Sequence, residues 1–273
     1  MTDIRQEKEW GEYLRLRGWT VKSIGCACGK HRLQVLIYRL GWWPFSILKL
    51  QRAECDPDFD ELRKIKRKFW VINSYIEPLK VINYQRFSKA GYKKTKFPFL
   101  ATKTVVVDLT KSKESLWNDL SSNAKRLIKK NEQIKSVTLP SEKFREIWRK
   151  SSKVWVLSQS DLNNLKKAYK NKLRIVASSD DKELHSGIIL LSTKDCINYF
   201  QTWTNEAGRR SGAHYKLIWE EILRAKSLGK KFFDFEGIFD QEYPINKWRG
   251  FSEFKMKFGG RVIKHPGSFH RWF

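Results

Sequence analysis

Three segments decide the fold: INYFQTW (197–203), AHYKLIWEEILRAKSLG (213–229) and FFDFEGI (232–238). The first and third are short runs rich in aromatic and β-branched residues, which is typical of buried strands. The second is longer and repeats apolar residues at helical spacing. The sequence therefore predicts a strand, a helix and a second strand, with Asp234 and Glu236 near the end of that second strand.

The preceding segments extend this pattern. Two predicted helices, EKFREIWRKSSKVW (142–155) and DLNNLKKAYKN (161–171), are followed by the strands LRIVASS (173–179) and HSGIILLS (185–192). This order of elements is that of an acyltransferase: helices, a meander of three strands, a helix and a further strand. Downstream, FSEFKMKFGG (251–260) is predicted to end another strand, with its lysines between aromatic residues.

The first half of the chain has a similar mixed α/β order. An amphipathic segment at 9–19 precedes predicted strands at 32–40, 44–52, 70–78 and 102–110, a helix at 57–69 and a basic helix at 113–133. We therefore predict two similar domains that share a cleft, residues 1–138 and residues 139–261. Residues 262–273 are predicted to return and complete the first domain, because Phe269, Trp272 and Phe273 would not suit a solvated tail.

Charge limits the choice of partner. The chain has 55 Lys and Arg against 29 Asp and Glu, a formal net charge of +26. Solubility requires only about 2–8 net charges, so a polyanion is expected, either nucleic acid or an anionic membrane surface. The predicted helix at 113–133 places four cations on one side, which we expect to contact a phosphate backbone. These are Lys125, Arg126, Lys129 and Lys130.

The four cysteines, Cys26, Cys28, Cys55 and Cys196, are too few and too unevenly placed for a disulfide framework, which favours a reducing cytoplasm. Cys26, Cys28, His31 and the later Cys55 could supply four zinc ligands, but CACGKH (26–31) has C-x-C spacing in place of the C-x₂-C spacing of common zinc sites, so we predict no metal. No signal peptide or membrane span is predicted either. A cytoplasmic protein is expected, with a possible peripheral contact to the inner face of an anionic membrane.

The quoted segments from 197 to 260 resemble the FemABX family of aminoacyl-tRNA-dependent transferases, which are built from two copies of the GNAT acyltransferase fold. The likeness extends to QEKEWGEYLRLRGW (6–19), VINSYIEP (71–78) and SNAKRLIKKNEQ (122–133). The resemblance implies an α/β (α+β) fold with two tandem GNAT-like domains whose sheets are mixed and mainly antiparallel. It also implies a transfer site in the second domain.

In this family an amine attacks the ester that joins an amino acid to the 3′ end of tRNA. The resemblance implies that Lys255 stabilises the oxyanion of the tetrahedral intermediate and that Phe254 supports the 3′ adenosine or lines the site. It implies that Glu77 positions the amine or accepts its proton. An ordinary edge strand at 251–260 and a capping role for Glu77 are the alternatives.

Other residues are predicted to bind substrate. Tyr199 matches a family tyrosine of the acceptor cleft, and Arg209 and Arg210 precede the helix that starts near His214, which resembles an anion site. Asp234 and Glu236 could bind polar groups or cap the following turn. Some relatives recognise a nucleotide-linked acceptor through an arginine and a tyrosine that VWVLSQSDLNNL (154–165) lacks; Arg15 and Arg17 could compensate.

The predicted function is transfer of an amino acid from aminoacyl-tRNA to the amine of a cell-wall peptide precursor, soluble or lipid-linked, by a monomer without a cofactor. One alternative is a GNAT-type N-acyltransferase that uses acyl-CoA, but NEAGRRSGAHY (205–215) only loosely resembles the required glycine-rich pyrophosphate loop. A basic nucleic-acid-binding protein without catalysis is the other alternative. It would leave FKMKFGG (254–260) and the two-domain order unexplained.

Overall fold

The structure, a computed structural model, describes residues 3–80, 82–151, 156–180 and 183–272. Its elements begin with α1 Lys8–Arg15, β1 Thr20–Gly25, β2 Arg32–Arg39, β3 Ser46–Ala53, α2 Phe59–Lys68, β4 Val71–Pro78, α3 Tyr84–Lys89, β5 Lys93–Lys94 and β6 Lys103–Asp108. They continue with α4 Lys113–Asp119, α5 Ser122–Lys130, β7 Lys135–Thr138, α6 Ser141–Ser151, α7 Gln159–Tyr169, β8 Leu173–Ser179, β9 Leu184–Ser192, β10 Cys196–Thr204, α8 Glu206–Ser211, α9 Ala213–Ser227, β11 Phe232–Gly237, α10 Arg249–Met256, β12 Arg261–Lys264 and β13 Phe269–Trp272.

Contacts divide the chain into two compact units. The first unit runs to Lys103 and adds Phe239–Asn246 and the residues from Lys264 onward. The second unit comprises Thr104–Ile238 and Lys247–Ile263. Each unit contains one mixed sheet and its own apolar core.

The sheet of the first unit has the order β1-β2-β3-β4-β13-β5. Helix α2 connects β3 to β4, which are parallel, whereas the other neighbours in this sheet are antiparallel. A helical crossover is the usual way to join parallel strands, because a tight turn cannot. The C-terminal strand β13 lies inside this sheet, with Phe269 opposite Ile76 of β4 and Lys94 of β5.

The sheet of the second unit has the order β12-β6-β11-β10-β9-β8-β7. Strands β10 and β11 are parallel and α9 connects them, as the opening segments of the sequence predicted. Strand β6 pairs antiparallel with β11, with Val107 opposite Phe233. Residues 104–138, which the sequence assigned to the first domain, thus belong to the second unit, since β6 completes the sheet around β11.

Two predicted elements have a different form in the structure. The basic helix at 113–133 is two helices, because the Ser121 Oγ accepts a hydrogen bond from Ala124 N and starts α5 as a new helix. The strand predicted at the end of 251–260 is wrong: the segment forms α10. Phe251 and Lys255 are four residues apart, which places them on one face of this helix, and the Lys255 ammonium lies 5.0 Å from the Phe251 ring centroid.

The position of β13 gives a test of the first unit. Phe269 is 3% exposed and contacts the Phe87 ring at 5.0 Å, whereas Trp272 on the same strand is 64% exposed. We expect Phe269→Ala to lower the free energy of unfolding by about 3–5 kcal/mol, the usual cost of removing a buried phenylalanine ring. Urea unfolding measures this cost. The control Trp272→Ala should change it by less than about 1 kcal/mol; equal effects would contradict the buried position of β13.

Candidate active site in the second unit

The candidate site lies where β10 and β11 stop pairing. Their last pair among the described residues is Asn198 with Asp234, and the pairing of β10 with β9 shifts register between Tyr199 and Gln201. Beyond this point the two parallel strands share no further hydrogen-bonded register in the described chain. Tyr199 therefore occupies the place at which a gap between neighbouring strands can admit another group, and α10 brings Lys255 to it.

Lys255 is a buried lysine surrounded by a carbonyl and aromatic rings. Its ammonium donates a hydrogen bond of 2.7 Å to the Gly237 carbonyl and lies 5.3 Å from the Tyr199 ring centroid and 5.0 Å from that of Phe251. Only 7% of the residue is exposed. Burial lowers the pKa of Lys255 to about 8, although the carboxylates of Glu236 and Asp234 partly oppose this shift. The group is therefore mostly an ammonium at neutral pH, close to losing its proton.

The ammonium is only one side chain below the surface. Phe251, whose ring faces it, is 39% exposed. A cation next to aromatic faces is stabilised by their quadrupoles, and the surrounding low-dielectric walls strengthen its field. A substrate that displaced or passed Phe251 would meet a desolvated positive charge.

A chain of uncharged polar groups supports the other side of Tyr199. The Tyr199 hydroxyl and His214 Nε2 share a hydrogen bond of 2.9 Å, and His214 Nδ1 and the Ser186 hydroxyl share one of 3.0 Å. The Ser186 hydroxyl also bonds to the Ser178 hydroxyl. Burial lowers the pKa of His214 to about 3 and raises the pKa of Tyr199, so both rings are neutral at physiological pH.

Phe254 packs inside this group. Its ring stacks on His214 with centroids 5.2 Å apart and an angle of 29°, and meets Tyr215 edge-on at 4.8 Å. The structure thus brings together four predicted site residues: Lys255, Phe254, Tyr199 and His214. Sequence reasoning missed Phe251, because in a strand it would lie roughly 13 Å along the chain from Lys255. It also missed Ser186.

Asp234 and Glu236 shape the turn after β11. Asp234 Oδ1 accepts hydrogen bonds from the Thr104 hydroxyl and, at 2.7 Å, from Glu236 N. Glu236 has a φ of 59°, a left-handed conformation that a residue with a Cβ rarely adopts. Both carboxylates also act on the Lys255 charge. The two residues thus have a structural role in this turn, and their role as substrate ligands stays a prediction.

The predicted anion site around Arg209 and Arg210 has other contacts in the structure. Arg209 Nη1 donates to the Thr204 carbonyl at 2.7 Å, and Arg210 Nη1 forms an ion pair with Glu206 at 2.7 Å. His214 points into the polar chain. An anion at the start of α9 would therefore have to recruit the guanidinium groups from these partners, and this site too stays a prediction.

The remaining candidates belong to the first unit. Glu77 is buried, and its Oε1 accepts hydrogen bonds from Phe99 N at 2.9 Å and Leu100 N at 2.8 Å. This carboxylate therefore anchors the segment that contains residues 99 and 100, which corresponds to the capping alternative. Arg15 forms an exposed ion pair with Glu12 at 3.2 Å, and the Arg17 guanidinium lies 5.4 Å from the Tyr13 ring.

Helix α5 borders a surface pocket of about 630 Å³. The predicted phosphate-binding residues Arg126, Lys129 and Lys130 are exposed, whereas the Lys125 ammonium donates to the Asn118 carbonyl at 3.0 Å. Three lysines and two tryptophans, with two glutamates, are among the side chains that line the pocket: Lys113, Lys129, Lys216, Trp117, Trp219, Glu114 and Glu132. The tryptophan pair was not predicted from the sequence, because the two residues come from different helices.

Comparison with known proteins bears on the family and on the fold. Residues 146–272 match the sequence model of the FemAB family. This match covers slightly less than half of the chain, which is similar to the FemAB family over these residues. The resemblance inferred from the sequence is confirmed, and the match supports, in general terms, an aminoacyltransferase of the peptidoglycan-bridge type. No curated protein matches the chain.

Solved structures show a likeness in fold over most or all of the chain. The structure of FemX has a TM-score of 0.81 at 12% identity, covering 99% of this chain and 92% of that one. L-PGS from Bacillus licheniformis has a TM-score of 0.55 at 12% identity, with 99% and 92% covered. A tandem GNAT protein from the clavulanic acid biosynthesis pathway has a TM-score of 0.53 at 10% identity, with 89% and 80% covered. The predicted tandem GNAT-like fold is confirmed.

None of the helices in the described part of the chain is both long and apolar enough to cross a bilayer.

The burial of Lys255 should appear in the pH dependence of stability. Its pKa is about 8 in the folded chain and 10.5 for an unperturbed lysine, so between these values the unfolded state holds a proton that the folded state has lost. Stability conferred by this residue therefore rises from pH 8 to 10.5, by about 3 kcal/mol in total. The difference in unfolding free energy between wild type and Lys255→Met should shift by this amount over that window.

Urea unfolding at several pH values measures the difference. The buried Lys66 also has a lowered pKa, of about 7, but it is present in both proteins, so its contribution cancels. Parallel curves for wild type and Lys255→Met would contradict a buried ammonium.

Proposed function

We propose that this protein transfers an aminoacyl group from aminoacyl-tRNA to the amine of a peptidoglycan-type peptide precursor, with Lys255 as the oxyanion-stabilising cation. The observation that carries the proposal is the Lys255 ammonium, held beneath Phe251 at the end of the paired part of β10 and β11. The FemAB match over residues 146–272 includes this site.

The chemistry requires such a cation. The acceptor amine attacks the carbonyl carbon of the aminoacyl ester, a C–N bond forms, and the carbonyl oxygen becomes an oxyanion. The C–O bond to the ribose then breaks as the oxyanion collapses, the ribose oxygen takes a proton, and the amine nitrogen loses one. A fixed positive charge near the oxyanion lowers this barrier without reorganising, because Gly237 and two rings already hold it.

Neutral groups around the cation fit the same role. Tyr199 and His214 carry no charge at physiological pH, so they compete with the oxyanion for Lys255 less than a carboxylate in contact would. Phe254 stacks on His214 and is a wall of the site in this proposal. The Oε1 atom of Glu77 accepts hydrogen bonds from two backbone N–H groups, so we assign this residue a positioning role. In this proposal, solvent or the substrate itself takes the proton from the amine.

Lys255→Ala should lower kcat by roughly 10²–10³-fold, the usual effect of removing one oxyanion donor, while the KM for charged tRNA changes little. Single-turnover transfer from labelled aminoacyl-tRNA to a peptide precursor is the measurement. Lys257→Ala is the matched control, since Lys257 lies two positions further along, outside α10, and should change kcat less than about threefold.

The pH profile separates the two roles that a lysine with a pKa of about 8 can play. A cation that stabilises the oxyanion is lost above this pKa, so kcat should fall as the pH rises beyond about 8. A kcat that rises through this range would assign Lys255 as the general base and overturn the oxyanion role. A change confined to KM would assign it to substrate binding.

We further propose that α5 and its pocket contact tRNA. Exposed cations on α5 suit a phosphate backbone, and the pocket beside them contains Trp117 and Trp219, whose rings lie 5.4 Å apart. Trp219 is buried in the core, so the partly buried Trp117 is the aromatic side chain on which an unpaired base can stack, and lysines at the rim neutralise phosphates. The unpaired 3′ end of tRNA offers both groups.

Lys129→Glu combined with Lys130→Glu should weaken binding of charged and uncharged tRNA alike. The slope of log K against log salt concentration should become shallower by about 1 for each phosphate that the variant no longer neutralises. The double variant Lys166→Glu, Lys167→Glu is the control, because it reverses two exposed lysines on α7 of the same unit. A slope that changes equally in both variants would indicate a general charge effect and contradict a site on α5.

One observation bears on the acyl-CoA alternative. A Cβ added to Gly208 would lie 2.1 Å from the His185 carbonyl oxygen, and Gly208 N already donates to Asn205 Oδ1. Close packing of Gly208 on β9 thus explains why a glycine stands at this position, and binding of a pyrophosphate is not needed to explain it. The acceptor is proposed to be a peptide precursor, soluble or lipid-linked, reached in the cytoplasm or at the membrane surface by a monomer.

A further inference from the structure

Three of the four cysteines meet at one end of the first sheet. Cys26 and Cys28 lie in the turn between β1 and β2, and Cys55 follows β3. Their three Sγ atoms all lie within 4.8 Å of one another, and those of Cys26 and Cys28 are 2.6 Å apart. Cys26 is buried, Cys55 is half-buried and Cys28 is exposed, so the cluster reaches from the core to the surface.

The backbone holds these thiols together independently of their side chains. Ala27 N donates to the Asp56 carbonyl at 2.8 Å, and Asp58 N donates to the Gly25 carbonyl at 3.0 Å. Cys26 also forms an isolated antiparallel bridge with Pro57. The turn that contains two cysteines is therefore fixed against the segment that contains the third, and the three sulfurs converge on one point of a rigid frame.

We propose that Cys26, Cys28 and Cys55 bind one zinc ion as thiolates, with water in the fourth position on the exposed side. Zn–S bonds of about 2.3 Å in a tetrahedron place the sulfurs about 3.8 Å apart. All three Sγ atoms lie within 4.8 Å of one another, and those of Cys26 and Cys28, now 2.6 Å apart, would separate by roughly 1 Å on binding. Sulfur ligands select zinc over calcium or magnesium, which prefer oxygen. Binding converts three thiols to thiolates and releases their protons to the solvent.

The metal would crosslink two segments of the first unit. It joins the β1–β2 turn to the segment between β3 and α2, and Gly25 N already donates to Glu61 Oε2 of α2 at 2.8 Å. A metal crosslink between these segments stabilises the folded state because the ligands are not preformed in the unfolded chain. Its three ligands belong to a different unit from Lys255, and none of them has a role in the proposed transfer chemistry.

Metal binding to the full, reduced chain tests the proposal. Zinc titration followed by removal of unbound metal should leave one ion per chain. Co²⁺ in place of zinc should give the intense near-ultraviolet absorption of thiolate-to-cobalt charge transfer. Cys26→Ser, Cys28→Ser and Cys55→Ser should each weaken binding at least about tenfold, whereas Cys196→Ser, which removes the buried cysteine of β10, should retain full binding.

Several results would overturn the proposal, and the first needs no variant. One is the absence of a charge-transfer band in wild type whose four thiols prove to be reduced when they are titrated after unfolding. The others are equal binding in Cys55→Ser and Cys196→Ser, or a Cys26–Cys28 disulfide in protein isolated without metal. A chelator should also lower the melting temperature of wild type, while leaving that of Cys55→Ser unchanged. Transfer activity is not a readout in any of these measurements, so failure of the proposed function would not affect them.

Discussion

A lysine ammonium held out of water is the constraint on which the second unit's site depends. Removing a charge from solvent is unfavourable unless other groups replace the missing hydration, and here one carbonyl and two aromatic rings do so. These groups come from β11, β10 and α10, so the ammonium can be accommodated only when the sheet and the last helix are both in place. The burial of this charge therefore depends on the tertiary structure.

The two glycines after α10 show how closely this helix must approach the sheet. A Cβ at Gly259 would lie 2.5 Å from the Asp119 carbonyl oxygen, and a Cβ at Gly260 would lie 2.5 Å from Val105 Cγ1. Gly259 also has a φ of 74°, which favours glycine. The pair therefore lets the chain leave α10 and pass directly against α4 and β6, which keeps Lys255 at its depth.

Much of the fold could be predicted from the sequence because its signals are local. The periodicities of LRIVASS and of the segment from 213 to 229 gave β8 and α9 almost residue by residue. The helix α10 was missed because Phe and Lys alternate at 254–258 as they would in a strand. The segment can also form a helix, and only the contacts of Phe254 with His214 and Tyr215 decide between the two. The place of residues 104–138 depended on the pairing of β6 with β11, which no local pattern contains.

The candidate site was predictable in its residues but not in its environment. Lys255, Phe254, Tyr199 and His214 could be named from the resemblance, yet the neutral state of His214 follows from burial among partners distant in sequence. The cysteines show the same limit. The C-x-C spacing of Cys26 and Cys28 argued against a metal, although the sequence offers Cys55 as a further ligand. That Cys55 lies beside the first two thiols depends on the pairing of β2 with β3.

The interior position of β13 has a consequence for the order in which the chain acquires structure during synthesis. Residues 269–272 fill the space between β4 and β5, so the first sheet cannot close until these residues have emerged from the ribosome. The second unit is drawn from Thr104–Ile238 and Lys247–Ile263, and all of its residues emerge earlier. Vectorial synthesis usually favours the N-terminal domain. Here the unit encoded first is completed last, and the exposed edges of β4 and β5 must stay unpaired, or be protected by a chaperone, in the interval.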